Sequence, residues 1–436
     1  MNIGPHCNNG SRTFKRLGSP GLNMGFRDLV DGIRTVKDPI SVNYDMKIAS
    51  ESSGNQPLLF NEIIESHGQR AVTNILTRHR LCEAFDVEPG ELIDILSWAM
   101  ENPCDTVLVD PGSAPVLENR MAHTDISILP IPWHYREDGG RYQSSSIIIA
   151  QYGGQRNTSF HRQLLKGPNR TTVRLVPRHL RTMADQAYEN NEDVPIAVVN
   201  GPDPLVLLAA AMSFNEPIDE LRVASALHER LYGAKLGLVE LSNGVQVPAE
   251  SEYAMEARIT TKLDDEGPYV DITGTVDDIR QEPVIEYDSI YHRNEPIFHA
   301  LIPAGVEHMT LMGMPRAPTI KTAVSEVVTC TDVYLTDGGS GWLSSVVQIV
   351  PENSGDSMRA IRAALDGHKS MKQVIVVDTD IDVTNSTRVE WALMTRWQPD
   401  KDTLILSNQK GSSLSLIHIS EPTRQEAISY AVFCLK

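Results

Sequence analysis

The stretch from Asp138 to His179 constrains the fold most, because tight turns divide it into runs with the composition of β-strands. Turns at Gly153-Gly154 and at Lys166–Asn169 separate the runs SSSIIIAQY, RNTSFHRQLL and TTVRLVP. Strand-like runs bounded by Gly, Pro and Asn are typical of antiparallel neighbours. The sequence therefore predicts a three-stranded antiparallel meander that carries an Asn, an Arg and a His among hydroxyl side chains.

A short downstream segment, EGPYVDITG, is predicted to complete a site with this meander. It places the carboxylates Glu266 and Asp271 five residues apart around a Gly-Pro turn. A buried arginine such as Arg162 binds a carboxylate through paired hydrogen bonds and lowers the pKa of a nearby acid, whereas a second acid raises it. The three residues suit a substrate clamp with a proton donor, and they equally suit a structural salt-bridge network.

Asn157 and Arg162 raise a question of geometry, since they are five residues apart in one predicted strand. In an unbroken strand, side chains at this spacing point to opposite faces of the sheet. If both belong to one site, we expect a β-bulge or a strong twist between them.

Asn157, His179 and Glu220 are residue types that bind a hard divalent ion through an amide oxygen, an imidazole and a carboxylate. Their positions are scattered along the sequence, so their spacing defines no metal-binding motif. Asn157 also suits a turn after Gly153-Gly154, and Glu220 suits the first turn of a helix. The residues alone leave the metal site as one hypothesis among several.

Periodicity divides the chain into three sections. Residues 24–130 combine helical patterns such as GELIDILSWAM with short extended runs, which predicts an α/β domain. Residues 131–315 are rich in strands with inserted helices, which predicts a barrel or a sandwich. Residues 316–414 return to α/β, with QVIVVDTDIDV resembling a buried parallel strand.

Both ends differ in character from the sections between them. Residues 1–23 are polar and rich in Gly, Asn and Ser, without an apolar signal-peptide core, so we expect a disordered or non-native extension with Met24 as the functional start. Residues 415–436 have no patterned relation to what precedes them and resemble a translated sequencing adapter. We expect this tail to be non-native and to replace the native C-terminus.

Charge and cysteine usage exclude several classes of function. A net charge of −18 argues against nucleic-acid binding and against an anionic membrane surface. The longest apolar runs are shorter than the roughly 18 residues of a membrane span, so we expect no membrane insertion. Five scattered cysteines without a CxxC pair indicate neither a disulfide framework nor a zinc site, and they favour a cytoplasmic location.

Several familiar motifs fail in detail. Gly338–Trp342 resembles a nucleophile elbow, but its fifth position is Trp. Asp378, Asp380 and Asp382 alternate as in a calcium loop, yet Val383 stands where Gly is required. These features carry no functional prediction.

Several segments, taken in order, resemble the UbiD family of decarboxylases across nearly all of residues 24–414. They are DGGRY, RNTSFHRQ, VPRH, DEGPYVDITG, GHKSMKQVIVVDTDIDV, EWALMTR and GSSL. The resemblance implies an N-terminal α/β domain, a central split β-barrel that binds flavin, and a C-terminal α/β domain. It also implies prenylated FMN, a divalent metal (Mn²⁺ or Mg²⁺) and K⁺ as cofactors.

The resemblance assigns roles by position. It implies that Asn157, His179 and Glu220 hold the metal and the cofactor phosphate. It places the catalytic set on Glu266, Arg162 and Asp271. The residues implied to contact the cofactor are Asn157, Phe160, His161, Arg162, Arg174, Leu175, Val176, His179, Ala209, Ala210, Met212, Glu220 and Lys369, with Ala209, Ala210 and Met212 forming the backbone wall of the K⁺ site.

The implied reaction is non-oxidative decarboxylation of an unsaturated carboxylic acid. Arg162 would orient the substrate carboxylate, the cofactor would be the electron sink, and Glu266, with Asp271 as its partner or in the reverse roles, would protonate the carbon. The family further implies a flavin prenyltransferase as cofactor supplier and a homo-oligomer, either dimer or hexamer.

The segments DEGPYVDITGTVDDIRQEPVIE and IFHALIPAGVEHMTLMGMPR resemble the archaeal branch that converts trans-anhydromevalonate 5-phosphate to isopentenyl phosphate in a modified mevalonate pathway. The alternative substrates are 4-hydroxy-3-polyprenylbenzoate and other aromatic or unsaturated acids. From other classes, a metal-dependent hydrolase without flavin and a non-catalytic flavin-binding protein are the competing hypotheses.

Overall fold

The computed structural model describes residues 25–66, 68–214, 216–409 and 428–434. The predicted extension at residues 1–23 lies outside this range, and so do residues 415–427 of the predicted foreign tail. The domain boundaries and the non-native origin of both ends stay predictions.

The elements follow the predicted succession of sections. The first section contains α1 (Phe26–Val30), β1 (Arg34–Val36), α2 (Asp45–Ser52), β2 (Leu58–Phe60), β3 (Arg70–Thr73), α3 (Arg78–Phe85), α4 (Pro89–Glu101), β4 (Val107–Leu108) and β5 (Asn119–Arg120). The central section contains β6 (Tyr142–Gln143), β7 (Ile147–Tyr152), β8 (Gln155–Phe160), β9 (Gln163–Gly167), β10 (Arg170–Val173), α5 (His179–Glu189), β11 (Val194–Asn200), α6 (Pro204–Ala211), α7 (Glu220–Tyr232), β12 (Gly237–Glu240), β13 (Gln246–Pro248), β14 (Tyr253–Glu266), β15 (Tyr269–Val270), β16 (Val276–Asp277), β17 (Arg280–His292), β18 (Ile297–His299) and α8 (Val306–Gly313). The third section contains α9 (Ala317–Ser325), β19 (Thr329–Leu335), β20 (Ser344–Val350), α10 (Asp356–Gly367), β21 (Gln373–Asp378), α11 (Ser386–Arg396), β22 (Thr403–Gln409) and β23 (Ile428–Cys434).

The central sheet has the strand order β6-β9-β10-β17-β14-β11-β7-β8, with β5 paired to β17. The predicted three-stranded meander is wrong. The run RNTSFHRQLL breaks at His161-Arg162 into β8 and β9, and the hairpins β7–β8 and β9–β10 lie at opposite ends of the sheet. The reason is long-range pairing, because β11 occupies the free edge of β7 and β17 occupies the free edge of β10.

The longest strands of this sheet, β14 and β17, pair with shifts in register after Glu256 and after Ile259. Such irregularities bend a strand and increase its twist. β14 is buried over its first residues and ends at Glu266, which is also buried. The curved strand therefore places the Glu266 carboxylate at the end of the sheet, near the break at His161-Arg162.

Two helices cover β8. α6 is apolar on all sides and buried along its length, and it packs against both β8 and α7. The Asp219 side chain caps α7 by accepting a hydrogen bond of 3.1 Å from the Leu221 N–H, and Gly233 ends the helix with φ 76°. This cap fixes Glu220 at the first position of α7, facing β8.

Four smaller sheets accompany the central one among the described residues. Their strand orders are β1-β2-β3-β18, β13-β12-β4, β15-β16 and β19-β20-β21-β23-β22. β20 and β21 are parallel, as predicted for buried strands of the third section, and β23 lies between β21 and β22. Among the described helices, none is long and apolar enough to cross a membrane.

Candidate active site

Arg162 is the centre of an ion-pair cluster. Its Nε and Nη2 atoms donate to the two oxygens of Glu266 at 2.9 and 2.8 Å, and its Nη1 donates to Asp271 Oδ2 at 3.0 Å. The Arg162 side chain is 9% exposed and Glu266 is fully buried. The structure thus brings together the three residues predicted as the catalytic set.

A third carboxylate, Asp277, was not predicted as part of the site. It accepts from Arg162 Nη2 at 2.8 Å and from Arg280 Nη1 at 2.6 Å. Burial raises the pKa of Asp277, but the two arginines outweigh burial and lower it. The acid lies in the segment GTVDDIRQ, and its only signal in the sequence was its nearness to EGPYVDITG.

The three carboxylates also determine the charge state of Arg162. Burial lowers the pKa of Arg162, but hydrogen bonding and charge from Glu266, together with Asp271 and Asp277, raise it above its ordinary value. The guanidinium has five N–H groups, and four of them make the hydrogen bonds described above. One N–H on Nη1 remains for a further acceptor.

Two tyrosines enclose the cluster. The Tyr142 hydroxyl donates to Glu266 Oε1 at 3.1 Å, and burial followed by the charge of Glu266 raises the Tyr142 pKa, so the hydroxyl stays protonated. The Arg162 guanidinium lies 4.6 Å from the centre of the Tyr269 ring. The two aromatic rings are 4.5 Å apart and exclude water from this side of Glu266.

The DGGRY segment holds the EGPYVD segment in place. Asp138 Oδ1 accepts from the Val270 N–H at 2.8 Å, and the Gly139 N–H donates to the Pro268 carbonyl at 2.7 Å. A Cβ on Gly139 would lie 2.4 Å from the Gly267 carbonyl oxygen. Glycine is therefore required here by close backbone approach rather than by an unusual φ angle.

Gly139→Ala is expected to lower turnover by about tenfold or more, because the clashing atom belongs to backbone and Glu266 must move with it. Steady-state kinetics of the cofactor-loaded protein measure the effect. Gly338→Ala is the matched control, since a Cβ there meets nothing within 4 Å. Equal turnover in the two variants would contradict this account of Gly139.

Asp138 is buried, and burial raises its pKa to about 6 despite hydrogen bonds from Val270 and Tyr135. Its folded pKa exceeds its ordinary value of 3.8, so the folded state binds the proton more tightly. This group's contribution to the free energy of unfolding therefore increases by about 3 kcal/mol as pH falls from 7 to below 4. Denaturant unfolding across this pH range gives the free energy of unfolding of the wild type and of Asp138→Asn. The difference between the two values is expected to increase as the pH falls. A difference that stays constant with pH would contradict this account.

Asn157 and Glu220 form a second polar pair. Asn157 Nδ2 donates to Glu220 Oε1 at 2.9 Å, and the Thr158 N–H donates to Oε2 at 2.7 Å. Both side chains are buried, and burial raises the pKa of Glu220 to about 8. A buried carboxylate and a nearby amide oxygen, which accepts from the Ser159 hydroxyl at 2.9 Å, are donor types that suit a divalent cation.

His179 begins α5 and is half-buried, and the hydrogen bonds and ion pairs of the described residues do not join it to Asn157 or Glu220. Within that part of the chain, no three His, Cys, Asp or Glu side chains converge as a metal site. The structure thus brings two of the three predicted ligands together, and the role of His179 stays a prediction.

The residues predicted to line the flavin form two adjacent segments. The Arg174 N–H donates to the Arg162 carbonyl at 3.2 Å, and a ring nitrogen of His161 lies 3.0 Å from the Arg174 carbonyl. Burial lowers the pKa of His161 to about 4, so its ring is neutral at pH 7. Leu175 is buried, whereas the Val176 side chain is 38% exposed and offers an apolar surface.

Of the remaining predicted residues, Phe160 ends β8 and packs against the core, while Ala209 and Ala210 lie in the last turn of α6. Met212 caps α6, and its N–H donates to the Ala209 carbonyl at 3.1 Å. Lys369 lies at the surface, 73% exposed, where it pairs with Asp366 at 2.7 Å.

The conformation between Asn157 and Arg162 differs from expectation. Instead of a bulge within one strand, the chain leaves β8 at Phe160 and enters β9 at Gln163. The break removes the alternation that would have put the two side chains on opposite faces, because Arg162 no longer belongs to the strand of Asn157.

Comparison with known protein families matches the 3-octaprenyl-4-hydroxybenzoate carboxy-lyase Rift-related domain to residues 107–306 and the C-terminal domain of the same enzyme to residues 309–427. The anhydromevalonate phosphate decarboxylase of Methanosarcina mazei is 39% identical over 90% of this chain and 92% of that protein.

Solved structures agree with this assignment. The UbiD-class enzyme HmfF from Pelotomaculum thermopropionicum, in complex with FMN, is 30% identical, covers 94% of each chain and has a TM-score of 0.87. An evolved dimeric form of that enzyme with prenylated FMN is 29% identical over 94% of each chain, with a TM-score of 0.85. The predicted fold class is confirmed, and the chain belongs to the UbiD family of carboxy-lyases.

Proposed function

We propose that this protein is a prenylated-FMN-dependent decarboxylase that converts trans-anhydromevalonate 5-phosphate to isopentenyl phosphate and CO₂. The observation that carries the proposal is the buried cluster in which Arg162 binds both Glu266 and Asp271 beside the predicted flavin wall. The similarity to the archaeal decarboxylase supports the substrate.

The reaction breaks the bond between the carboxylate carbon and the adjacent alkene carbon, which keeps the electron pair and receives a proton. It consumes one proton and needs no net oxidant or reductant. Prenylated FMN, when bound, supplies an electron sink for that pair. The protein must therefore orient the carboxylate, exclude water and deliver one proton to carbon.

Arg162 suits the first task, because its charge is fixed and one Nη1 N–H remains for the substrate carboxylate. Glu266 is the proposed proton donor, since it is fully buried and fixed by Arg162 and Tyr142. Asp271 is 27% exposed and contacts the same guanidinium, so it is placed to return a proton from solvent. Proton transfer by a positioned carboxyl group is general acid catalysis.

Asn157, Glu220 and His179 are proposed to hold Mn²⁺ or Mg²⁺ beside the cofactor phosphate. The observation in favour is the buried Glu220, whose charged form a cation would stabilise. The end of α6 around Ala209, Ala210 and Met212 is proposed to bind K⁺ through backbone carbonyls, and Lys369 is proposed to approach the cofactor phosphate.

The same proposal includes a flavin prenyltransferase as cofactor supplier, a homo-oligomeric state of dimer or hexamer, and a cytoplasmic location. Cys82, Cys104 and Cys330 are free, which suits a reducing compartment. The dimeric form of the Pelotomaculum enzyme supports assembly through copies of one chain.

The test is co-expression with a flavin prenyltransferase, followed by an absorbance spectrum and an assay of the purified protein. We expect flavin-like absorbance, CO₂ release and isopentenyl phosphate from trans-anhydromevalonate 5-phosphate. A colourless protein that hydrolyses esters with metal alone would instead indicate a hydrolase. Turnover of polyprenylhydroxybenzoate but not of the phosphorylated acid would overturn the substrate assignment.

A further inference from the structure

Asp277 joins Arg162 to a second arginine. Its Oδ2 atom accepts from Arg162 Nη2 at 2.8 Å and from Arg280 Nη1 at 2.6 Å, so one carboxylate oxygen binds both guanidinium groups. Exposure increases along this series, from 9% for the Arg162 side chain through 17% for Asp277 to 40% for Arg280. The buried guanidinium is thus connected to a cation near the surface.

Strand pairing positions both members of the Asp277–Arg280 pair. Arg280 begins β17 and lies directly opposite Glu266, which ends β14. Residues directly opposite each other in an antiparallel pair have their side chains on the same face. Asp277 ends β16 opposite Tyr269, whose ring centre is 4.6 Å from the Arg162 guanidinium. Two separate pairs of strands therefore hold Asp277 and Arg280 beside the acid cluster.

The connection between β16 and β17 also packs against the site. A Cβ on Gly267 would lie 2.8 Å from the Asp278 carbonyl oxygen and 3.1 Å from the Ile279 Cα. Gly267 has a φ of 103° and follows Glu266 directly. The backbone between the two strands therefore touches the backbone that carries Glu266.

The proton proposed for Glu266 changes how firmly this group binds Arg162. When Glu266 is ionised, both of its oxygens accept from Arg162. A protonated carboxyl group is neutral and has an O–H donor on one oxygen, so it binds a guanidinium more weakly than a carboxylate does. Arg162 then depends on Asp271 at Nη1 and on Asp277 at Nη2. One carboxylate remains on each terminal nitrogen, which fixes the plane of the guanidinium.

Arg280 stabilises the charged form of Asp277 that this role requires. Burial raises the pKa of Asp277, but hydrogen bonds from Arg280 and Arg162 outweigh burial and lower it. The two arginines and three carboxylates together carry a net charge of −1 while Glu266 is ionised. Uptake of the proton by Glu266 therefore neutralises the cluster, whereas a cluster without Arg280 would stay negative.

We propose that Asp277 and Arg280 are positioning residues that hold Arg162 in place while Glu266 carries the proton. The inference rests on the proposed function and adds two residues to its mechanism. Glu266 passes the proton to the substrate carbon, becomes ionised and pairs with Arg162 again. Arg162 therefore keeps its orientation toward the substrate carboxylate in both protonation states of Glu266.

Kinetics of cofactor-loaded variants test the positioning role. Asp277→Asn keeps the size of the side chain but loses its charge, and Arg280→Gln removes the second cation. Each is expected to lower kcat and kcat/KM together by about tenfold or more, because a misplaced guanidinium no longer orients the reacting group. Arg280→Lys keeps a positive charge near Asp277 and should retain most of the turnover. Flavin content should match that of the wild type in every variant.

Asp278→Asn is the matched control, since Asp278 is the adjacent acid and its side chain is exposed. Its backbone N–H donates to Asp277 Oδ1 at 3.2 Å, and the substitution leaves this contact intact. We expect wild-type kcat and KM in this variant.

Urea unfolding of the full chain supplies a measurement that does not depend on the reaction. Glu266→Gln imitates the protonated acid, because glutamine is neutral and of similar size. In that background, Asp277→Asn removes one of the two carboxylates left on Arg162, so it should lower the urea midpoint about twice as far as it does in the wild type. Circular dichroism follows the four proteins of this double-mutant cycle at one pH.

Wild-type kcat in Asp277→Asn would overturn the inference, and so would equal losses of turnover in Arg280→Lys and Arg280→Gln. Additive effects of Asp277→Asn and Glu266→Gln on the urea midpoint would also overturn it, because Arg162 would then not depend on Asp277 when Glu266 is neutral. A wild type that releases no CO₂ but shows the larger shift in the double variant would support the positioning of Arg162 while rejecting the decarboxylase proposal.

Discussion

Glu266→Gln is expected to lower turnover by about a hundredfold or more. The substitution keeps the size of the side chain but removes the carboxyl group that is proposed to take up a proton and pass it to carbon, and a positioned general acid contributes about 10²–10⁴ in rate. Glu266 is fully buried, and its hydrogen bonds from Arg162 and Tyr142 leave little room for water to replace it. Single-turnover release of CO₂ from cofactor-loaded protein measures the chemical step.

Asp264→Asn is the control for this prediction, since Asp264 lies on the same strand but is 38% exposed and only loosely paired with Lys166 at 3.9 Å. It should retain wild-type turnover. Asp271→Asn should reduce turnover less than Glu266→Gln does. Wild-type turnover in Glu266→Gln would reject the assignment, and a larger loss in Asp271→Asn would exchange the roles of the two acids.

Arg162→Gln is expected to lower the free energy of unfolding by about 3–5 kcal/mol, in addition to abolishing turnover. Removing one partner of a buried ion pair leaves an uncompensated buried charge, which costs far more than the intact pair contributed. Here the remaining charges are Glu266, Asp271 and Asp277, of which Glu266 is fully buried. Denaturant unfolding monitored by fluorescence and circular dichroism gives the value.

A second arginine provides a close control. Arg258 also binds three carboxylates, those of Asp193, Glu286 and Asp288, but its side chain is 37% exposed. Solvent screening limits such pairs to about 1 kcal/mol or less each, so Arg258→Gln should destabilise the protein less. Equal losses in the two variants would show that burial does not determine the energy of the Arg162 cluster.

Local patterns predicted the helices and the turns of the site well, because those depend on neighbouring residues. Gly233 ends α7 with a positive φ, as a C-terminal glycine does, and α10 also ends at a glycine, Gly367. The parallel pairing of β20 and β21 followed from their continuous apolar composition. In these cases chemistry within a few residues determines the structure.

Strand pairing could not be predicted in the same way. β9 and β10 form the expected hairpin, but Thr171 on β10 also pairs with Ile285 on β17. No local period encodes that partner, and so the sequence suggested one meander where the structure has two separated hairpins. The break at His161-Arg162 follows from those distant partners.

The residues of the candidate site could be predicted only in part. The acids Glu266 and Asp271 and the base Arg162 were identified, whereas Asp277 and the hydrogen bond from Tyr142 were not. Asp277 is one of two adjacent acids in GTVDDIRQ, and nothing in that local pattern distinguishes it from an exposed acid. Only the pairing of β15 with β16 places it opposite Tyr269 and beside the guanidinium.

Because the two hairpins lie apart in the central sheet, their strands cannot complete their pairing until later parts of the chain have been synthesised. β10 requires β17 as its neighbour, and β7 requires β11, which in turn requires β14. The strands that the ribosome makes early therefore lack a neighbour until β17, which ends at His292, has been synthesised. Contacts between distant parts of a chain form late and slow folding. Arg162 consequently meets Glu266 only once the whole central section has emerged, and a nascent chain that stops earlier has no acid cluster to assemble.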